Sequence, residues 1–160
     1  MVTMTTEVER ILEHLAARGE SLAVAESLTG GALGAAITAI PGASRVFVGG
    51  TISYQTEIKT SHVGVPRDAI EVHGVVSEEV AEAMASGARK SFGSTWAIST
   101  TGVAGPSDQN GIAAGTVWIA ISGPVQHSAL LEIQGGREVV RNATVSSAIA
   151  AFERILSTRK

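Results

Sequence analysis

A three-layer α/β/α domain on a mixed, mostly parallel sheet is the fold this sequence predicts, on three observations. Short apolar runs such as Leu22-Ala23-Val24-Ala25 and Thr95 to Thr101 alternate with segments of helical periodicity. The last two extended runs, Gly115 to Ser122 and Gln126 to Ile133, are joined through Gly123-Pro124 as a hairpin, which adds an antiparallel pair to the sheet. Small side chains abound, with 18 glycines and only 4% aromatic residues, so helices can lie close on a sheet. At 160 residues the chain reads as one domain, 1–160, large enough to bury a real core. It shows no internal repeat, linker or low-complexity segment.

The elements follow in order. Thr6 to Glu9 matches a Thr-x-x-Glu capping box, and Val8, Ile11, Leu12 and Leu15 then share one helical face ending near Arg18-Gly19. The strand Leu22 to Ala25 stops at a polar, glycine-ended turn, and Ala32 to Ile40 reads as a helix. After the loop 41–44, Arg45 to Tyr54 is a strand interrupted by Gly49-Gly50, which predicts a bulge or a close approach by another backbone or a ligand. Gln55 to Val63 is a short helix carrying Lys59, and Pro66 opens another as its first residue. Ser77 caps a helix running to about Lys90, with Val80, Ala83, Met84 and Ala88 inward. Residues 102–111 lack periodicity and read as a loop. The chain closes with a helix from Arg137 towards Leu156, striped by Val145, Ile149, Phe152 and Leu156.

Composition narrows the function classes. Hydrophobic residues are 44% and charged residues 17%, as in a globular protein. The net charge is −3 and no basic cluster exceeds Arg159-Lys160, which argues against a nucleic-acid footprint but leaves room for a small anionic ligand. With no cysteine there is neither a thiolate metal site nor a cysteine nucleophile. The N-terminal residues do not resemble a signal peptide and no apolar run reaches membrane-spanning length, so a cytoplasmic location is expected.

A serine at a strand-to-helix turn can hold its hydroxyl clear of the packing, beside the N–H groups and positive dipole end of the helix. Ser27 occupies such a turn, and Thr29, Gly30 and Gly31 follow it. These N–H groups suit an oxyanion or a phosphate, although Ser27 and Thr29 serve equally well as helix caps. A serine nucleophile needs a base, and His14, His62, His73 and His127 each lack a serine-and-carboxylate context; no metal-ligand spacing is evident either. Tyr54 and Lys59 are better placed, the first ending a strand and the second about one helical turn beyond. A neutral lysine can act as the base, provided desolvation or a nearby positive charge lowers its pKa, and the tyrosine phenol can relay a proton or hold the amine. Two further features suit an anion. Thr101, Gly102, Ala104 and Gly105 lie in a turn after a strand, and Arg137 and Arg141 share a face at the start of the last helix.

Ala25-Glu26-Ser27-Leu28-Thr29-Gly30-Gly31 resembles the AES-x-TGG motif of the CinA C-terminal domain family, associated with competence and DNA damage. Tyr54 to Lys59 is similar to that family's Y-x-x-x-x-K motif, and His73 to Ala81 to its HG-x-VS-x-x-VA segment. Thr101 to Pro106 resembles TG-x-AGP, Gly115-Thr116-Val117 resembles GTV, and Gly136 to Arg141 resembles G-x-R-x-x-x-R. The sequence departs from the family pattern at 107–114, which has no Lys-Pro, and at Leu28, where cysteine is common. The resemblance implies hydrolysis of nicotinamide mononucleotide to nicotinic acid mononucleotide and ammonia, without cofactor or metal, with Ser27 as nucleophile assisted by Lys59 and Tyr54. Thr29, Gly30, Gly31, Thr101, Gly102, Ala104, Gly105, Arg137 and Arg141 are then the expected substrate-binding residues. Two alternatives compete: a non-catalytic nucleotide-binding module, and a Ser–Lys hydrolase of another small amide. The expected partner is a small phosphate-bearing substrate rather than nucleic acid or membrane, and small-residue faces favour a homo-oligomer.

Overall fold

The structure, a computed structural model, describes residues 2–159. Helix α1 (Met4–Arg18) starts earlier than the motif at Thr6 predicts, because Thr3 is its cap. The Thr3 hydroxyl accepts the Thr6 N–H at 3.2 Å and the Thr3 carbonyl accepts that of Glu7, so Thr6 already lies in the first turn. There follow β1 (Leu22–Glu26), α2 (Ala32–Thr38), a 3-10 turn (Ala43–Arg45), β2 (Phe47–Ile52) and α3 (Thr56–Val63). The remainder is α4 (Arg67–His73), α5 (Glu78–Phe92), β3 (Trp96–Gly102), β4 (Thr116–Ser122), β5 (His127–Glu132) and α6 (Arg137–Ser157). Pro66 caps α4 rather than opening it.

The sheet order is β2-β1-β3-β4-β5. Strand β1 pairs in parallel with both β2 and β3, whereas β4 is antiparallel to β3 and to β5. Only β4 is therefore reversed, and β1, β2 and β3 end at the same edge of the sheet. The chain leaves β1 for β2 on one side and returns to β3 on the other, so a crevice opens beyond the carboxyl ends of β1 and β3. Ligands of open α/β sheets bind in such crevices.

Alternation along the strands separates two unlike faces. Leu22, Val24, Trp96, Ile98, Ile119 and Ile121 point into the large core shared with α1, α2 and α6. Ala23, Ala25, Ala97 and Ala120 face the other way, onto Val80, Ala81, Met84, Ala85 and Ala88 of α5. Small residues on both sides let α5 lie close to the sheet. Ala83, predicted inward with Val80, Met84 and Ala88, is only partly buried at the margin. Both expectations for Gly49-Gly50 hold. The β1 register slips between Leu22 and Ala23, so that Val48 is the extra residue opposite. A side chain at Gly50 would overlap the carbonyl and methyl groups of Val24.

Helix α3 is brought in tightly too. A methyl group at Gly87 of α5 would overlap the carbonyl oxygen of Val63, in the last turn of α3. Gly87→Ala must force α3 and α5 apart, and overpacking of this kind costs about 2 kcal/mol. A lower urea midpoint at unchanged m-value is the expected result; an unchanged midpoint would contradict the close approach.

Candidate active site

The turn after β1 is built around a buried carboxylate. Glu26 Oε1 accepts the N–H groups of Gly31 at 3.2 Å and Leu33 at 2.9 Å, and its Oε2 accepts that of Gly34 at 3.0 Å. The anion at the start of α2 is thus supplied by the chain itself. Gly30 at φ 60° and Gly31 at φ 102° turn the backbone through the left-handed region, which glycine enters without a Cβ clash. Ser27 and Thr29 are consequently released from capping. The Thr29 hydroxyl pairs with that of Thr100 at 2.8 Å, and Ser27 Oγ meets Lys59. Expectation narrows here: of the N–H groups from Thr29 to Gly31, Gly30 bonds Ser27 O and Gly31 bonds Glu26, and that of Thr29, a fully buried residue, carries no hydrogen bond within the described residues. The N–H of Leu28, which the sequence reading did not single out, likewise carries no hydrogen bond within the described residues.

Lys59 enters from α3 with its side chain buried, 2% exposed overall, against 7% for Ser27. Its Nζ lies 2.9 Å from Ser27 Oγ, 2.7 Å from Ser53 O and 3.1 Å from Tyr54 O. As an ammonium it donates to all three. As a neutral amine it has two N–H donors, which the two carbonyls require, since a carbonyl oxygen only accepts. The lone pair is then left for Ser27, whose hydroxyl donates to Nζ. Burial favours that neutral form and pushes the Lys59 pKa down from 10.5 to about 8. No compensating carboxylate pairs with the amine among the described residues.

Tyr54 is 56% exposed, and its phenol does not reach the amine as the sequence reading allowed. It holds Lys59 through its main-chain carbonyl, while the phenol oxygen accepts from Arg137 Nη2 at 3.2 Å. Nor does Tyr54 end a strand as expected: β2 stops at Ile52, and Tyr54 lies in the link to α3.

Ser27 and Lys59 lie in a cleft of about 150 Å³. Thr101, Gly102, Ala104, Gly105 and Arg137 line it, together with Val75, Val76, Ser107 and Gln109, which the sequence reading missed. Thr101 donates its hydroxyl to Val75 O, and Gly102 is required by β4, since a Cβ there would crowd Thr116 O and Val117. Arg137 donates to Gly105 O through Nη1 at 2.6 Å. The N–H groups of Ala104 and Gly105 carry no hydrogen bond within the described residues. The 107–111 stretch, predicted as loop, holds a tight turn: Gln109 and Ile112 exchange backbone hydrogen bonds, with Asn110 at φ 49° and Gly111 at φ 78°. Asn-Gly is the sequence signal for such a turn.

Thr29, Gly30, Gly31 and Arg141 are not among the cleft's lining residues. Arg141 instead donates to the main chain, from Nε to Leu28 O at 3.0 Å and from Nη2 to Thr29 O at 3.1 Å. None of the four histidines lines the cleft. Among the described residues, no helix is long and apolar enough to cross a membrane.

A family model described as the CinA C-terminal domain matches residues 4–156. A CinA-like protein of Parasynechococcus marenigrum is 43% identical over 152 residues, covering 91% of this chain and 36% of that protein. A CinA-like protein of Frankia casuarinae is 42% identical over 150 residues, covering 92% and 34%. The chain thus spans about a third of the length of these curated relatives. A solved structure, competence damage-inducible protein A of Klebsiella pneumoniae, is similar at TM-score 0.94 and 30% identity over 99% of this chain and 100% of that one. The competence/damage inducible protein of Agrobacterium tumefaciens gives 0.91 and 28%, over 99% and 100%.

Burial of Lys59 makes stability pH-dependent. The folded-state pKa of about 8 lies below the unfolded value of 10.5, so between those values the unfolded chain binds more protons. Unfolding free energy therefore rises with pH across that window. Relative to Lys59→Met, the parent should gain about 3 kcal/mol between pH 7 and 10.5, as read by urea unfolding of both proteins. A difference that does not change with pH would contradict the desolvated amine.

Proposed function

The chain belongs to the CinA C-terminal domain family, and from that premise we propose that it is a Ser–Lys amidohydrolase acting on nicotinamide mononucleotide. The observation that carries this reading is the buried Lys59 amine, 2.9 Å from Ser27 Oγ with its other hydrogen bonds fixed on carbonyls. The neutral amine takes the Ser27 proton as Oγ attacks the carboxamide carbon. The resulting ammonium returns the proton to the departing nitrogen, the C–N bond breaks, and ammonia leaves an acyl-serine ester. Water, deprotonated by the same amine, then hydrolyses the ester to the acid.

Unengaged N–H groups divide the anionic work. That of Leu28, which lines the cleft next to Ser27, serves the developing oxyanion. Those of Ala104 and Gly105 lie beside Arg137 and suit the phosphate, with the guanidinium exchanging neutral acceptors for a charged one. Among the described residues no acidic side chain lines the cleft, and the basic ones that do are Lys59 and Arg137. That balance favours a substrate with a neutral reacting amide and a separate anionic group.

Ammonia release from nicotinamide mononucleotide tests the reading. Ser27→Ala and Lys59→Ala should each lower kcat by about 10³-fold or more, as for nucleophile and base acting as a unit. Undiminished turnover in Ser27→Ala, or saturable binding by the parent with no ammonia released, would overturn it; the latter result identifies a binding module.

Because only the neutral amine acts as base, kcat/KM should rise with pH and level off above about 8. At pH 7 roughly a tenth of the limiting rate is expected. A profile that falls with pH across this range would contradict the role of Lys59. Arg137→Ala should act mainly on KM, raising it about 10- to 100-fold for loss of a charge-assisted contact. An unchanged KM would remove Arg137 from the substrate.

A further inference from the structure

We propose that the exposed edge of β2 pairs with the β2 edge of a second copy of this chain, antiparallel and about a two-fold axis. The sheet ends in β2 on one side and β5 on the other, and an edge strand presents unpaired N–H and C=O groups. The N–H of Ser53 bonds Glu26 O, on the β1 side, so alternation turns the polar backbone groups of Gly50 and Ile52 outward. The bulge lies at the start of the strand, and Gly49 to Ile52 run on in regular register with Ala23 to Glu26. Phe47 to Tyr54 contains no charged residue and no proline to guard this edge. It offers instead Val48, Ile52 and Tyr54, which are 51%, 56% and 56% exposed.

Two observations point to a second copy as the occupant. The first is that the uncharged surface extends beyond the strand. Ile52 lies against the start of α2, since a Cβ at Gly31 would stand 3.2 Å from its Cδ1, and Ala35, Thr38 and Ala39 of α2 are exposed. From Ser27 to Thr56 the one charged residue is Arg45, in a chain that is 17% charged. A surface at a two-fold axis meets itself, so a charge near the axis faces its like. A strip without charge is what its own copy tolerates, and charge depletion marks the centre of interfaces. The second observation is the sign of the charges at the two ends. Exposed Arg45 precedes β2 and exposed Glu57 follows it. Antiparallel pairing sets the start of one strand beside the end of the other, which brings the Arg45 end of each copy to the Glu57 end of the other. The β5 edge lacks this match. It carries Glu132 at one end, and Ser128 near the other bonds Glu78 and Glu82, with His127 the one basic residue of the strand. Antiparallel self-pairing there would set acid against acid. The uncharged strip ends towards Tyr54, which lines the cleft of Ser27 and Lys59, so the second copy sits beside the cleft mouth.

Light scattering on the purified chain tests this, and the outcome does not depend on the chemistry of Ser27. A mass near twice 16.4 kDa is expected, with the Gly50 amide slow to exchange with deuterium. Ile52→Lys and Val48→Lys each put a charge into the paired edge and should give the 16.4 kDa monomer, with the Gly50 amide exchanging fast. Circular dichroism selects folded protein, and either variant serves if the other does not fold. Arg45→Glu and Glu57→Arg should each raise the dissociation constant of the dimer about 3- to 10-fold, and the double variant should restore it. A parent that stays monomeric at millimolar concentration overturns the inference. So does a dimer that survives the lysine substitutions, which places the contact on another face. A double variant no tighter than the single ones overturns the antiparallel pairing.

Discussion

Holding the Lys59 amine out of water is the constraint that the rest of the structure accommodates. A lysine amine with no carboxylate partner among the described residues is stable there only if every donor finds an acceptor and the neutral form is accessible. The acceptors come from two different strand ends, Ser27 after β1 and the carbonyls of Ser53 and Tyr54 after β2. Parallel pairing of β1 and β2 brings these ends together. Close packing of α3 on α5, permitted by Gly87, carries the lysine to them. The alanine-lined face of the sheet is thus coupled to the chemistry, because it sets how near α5 and its passenger α3 can lie.

The second theme is the division of charge around one turn. Glu26 and Arg141 are both spent on main-chain groups, one on N–H donors and the other on carbonyls. Neither is then available to a ligand. Arg137, one helical turn from Arg141, is held by a carbonyl and a phenol, both neutral, and remains able to take an anion. Two arginines that look equivalent in sequence therefore do different work, separated by which side of the cleft wall each reaches.

This explains where the sequence was legible and where it was not. The order of elements and the bulge beside Gly49 follow from local periodicity and backbone freedom, which act over a few residues, whereas the ends of β2 fall short of the expected Arg45 and Tyr54. The pairing of Ser27 with Lys59 was accessible as a chemical requirement, a serine in want of a base, although their separation in the chain hides it from spacing. Glu26 was not legible, because a carboxylate capping a helix from the preceding strand follows no N-cap pattern. Nor was the fate of Arg141, which depends on carbonyls more than a hundred residues away. Asn110-Gly111 is a different case: its turn signal is local but stands inside an aperiodic stretch with no flanking strands to frame it.

The central claim is that Lys59 is a desolvated amine ready to accept the Ser27 proton, and a direct titration tests it. In protein carrying labelled lysine, the Lys59 Cε and Nζ resonances, assigned by their loss in Lys59→Met, would be followed by NMR against pH. A midpoint near 8 is the predicted result. A midpoint at the ordinary value near 10.5 would mean a hydrated ammonium, and would contradict the account at its base.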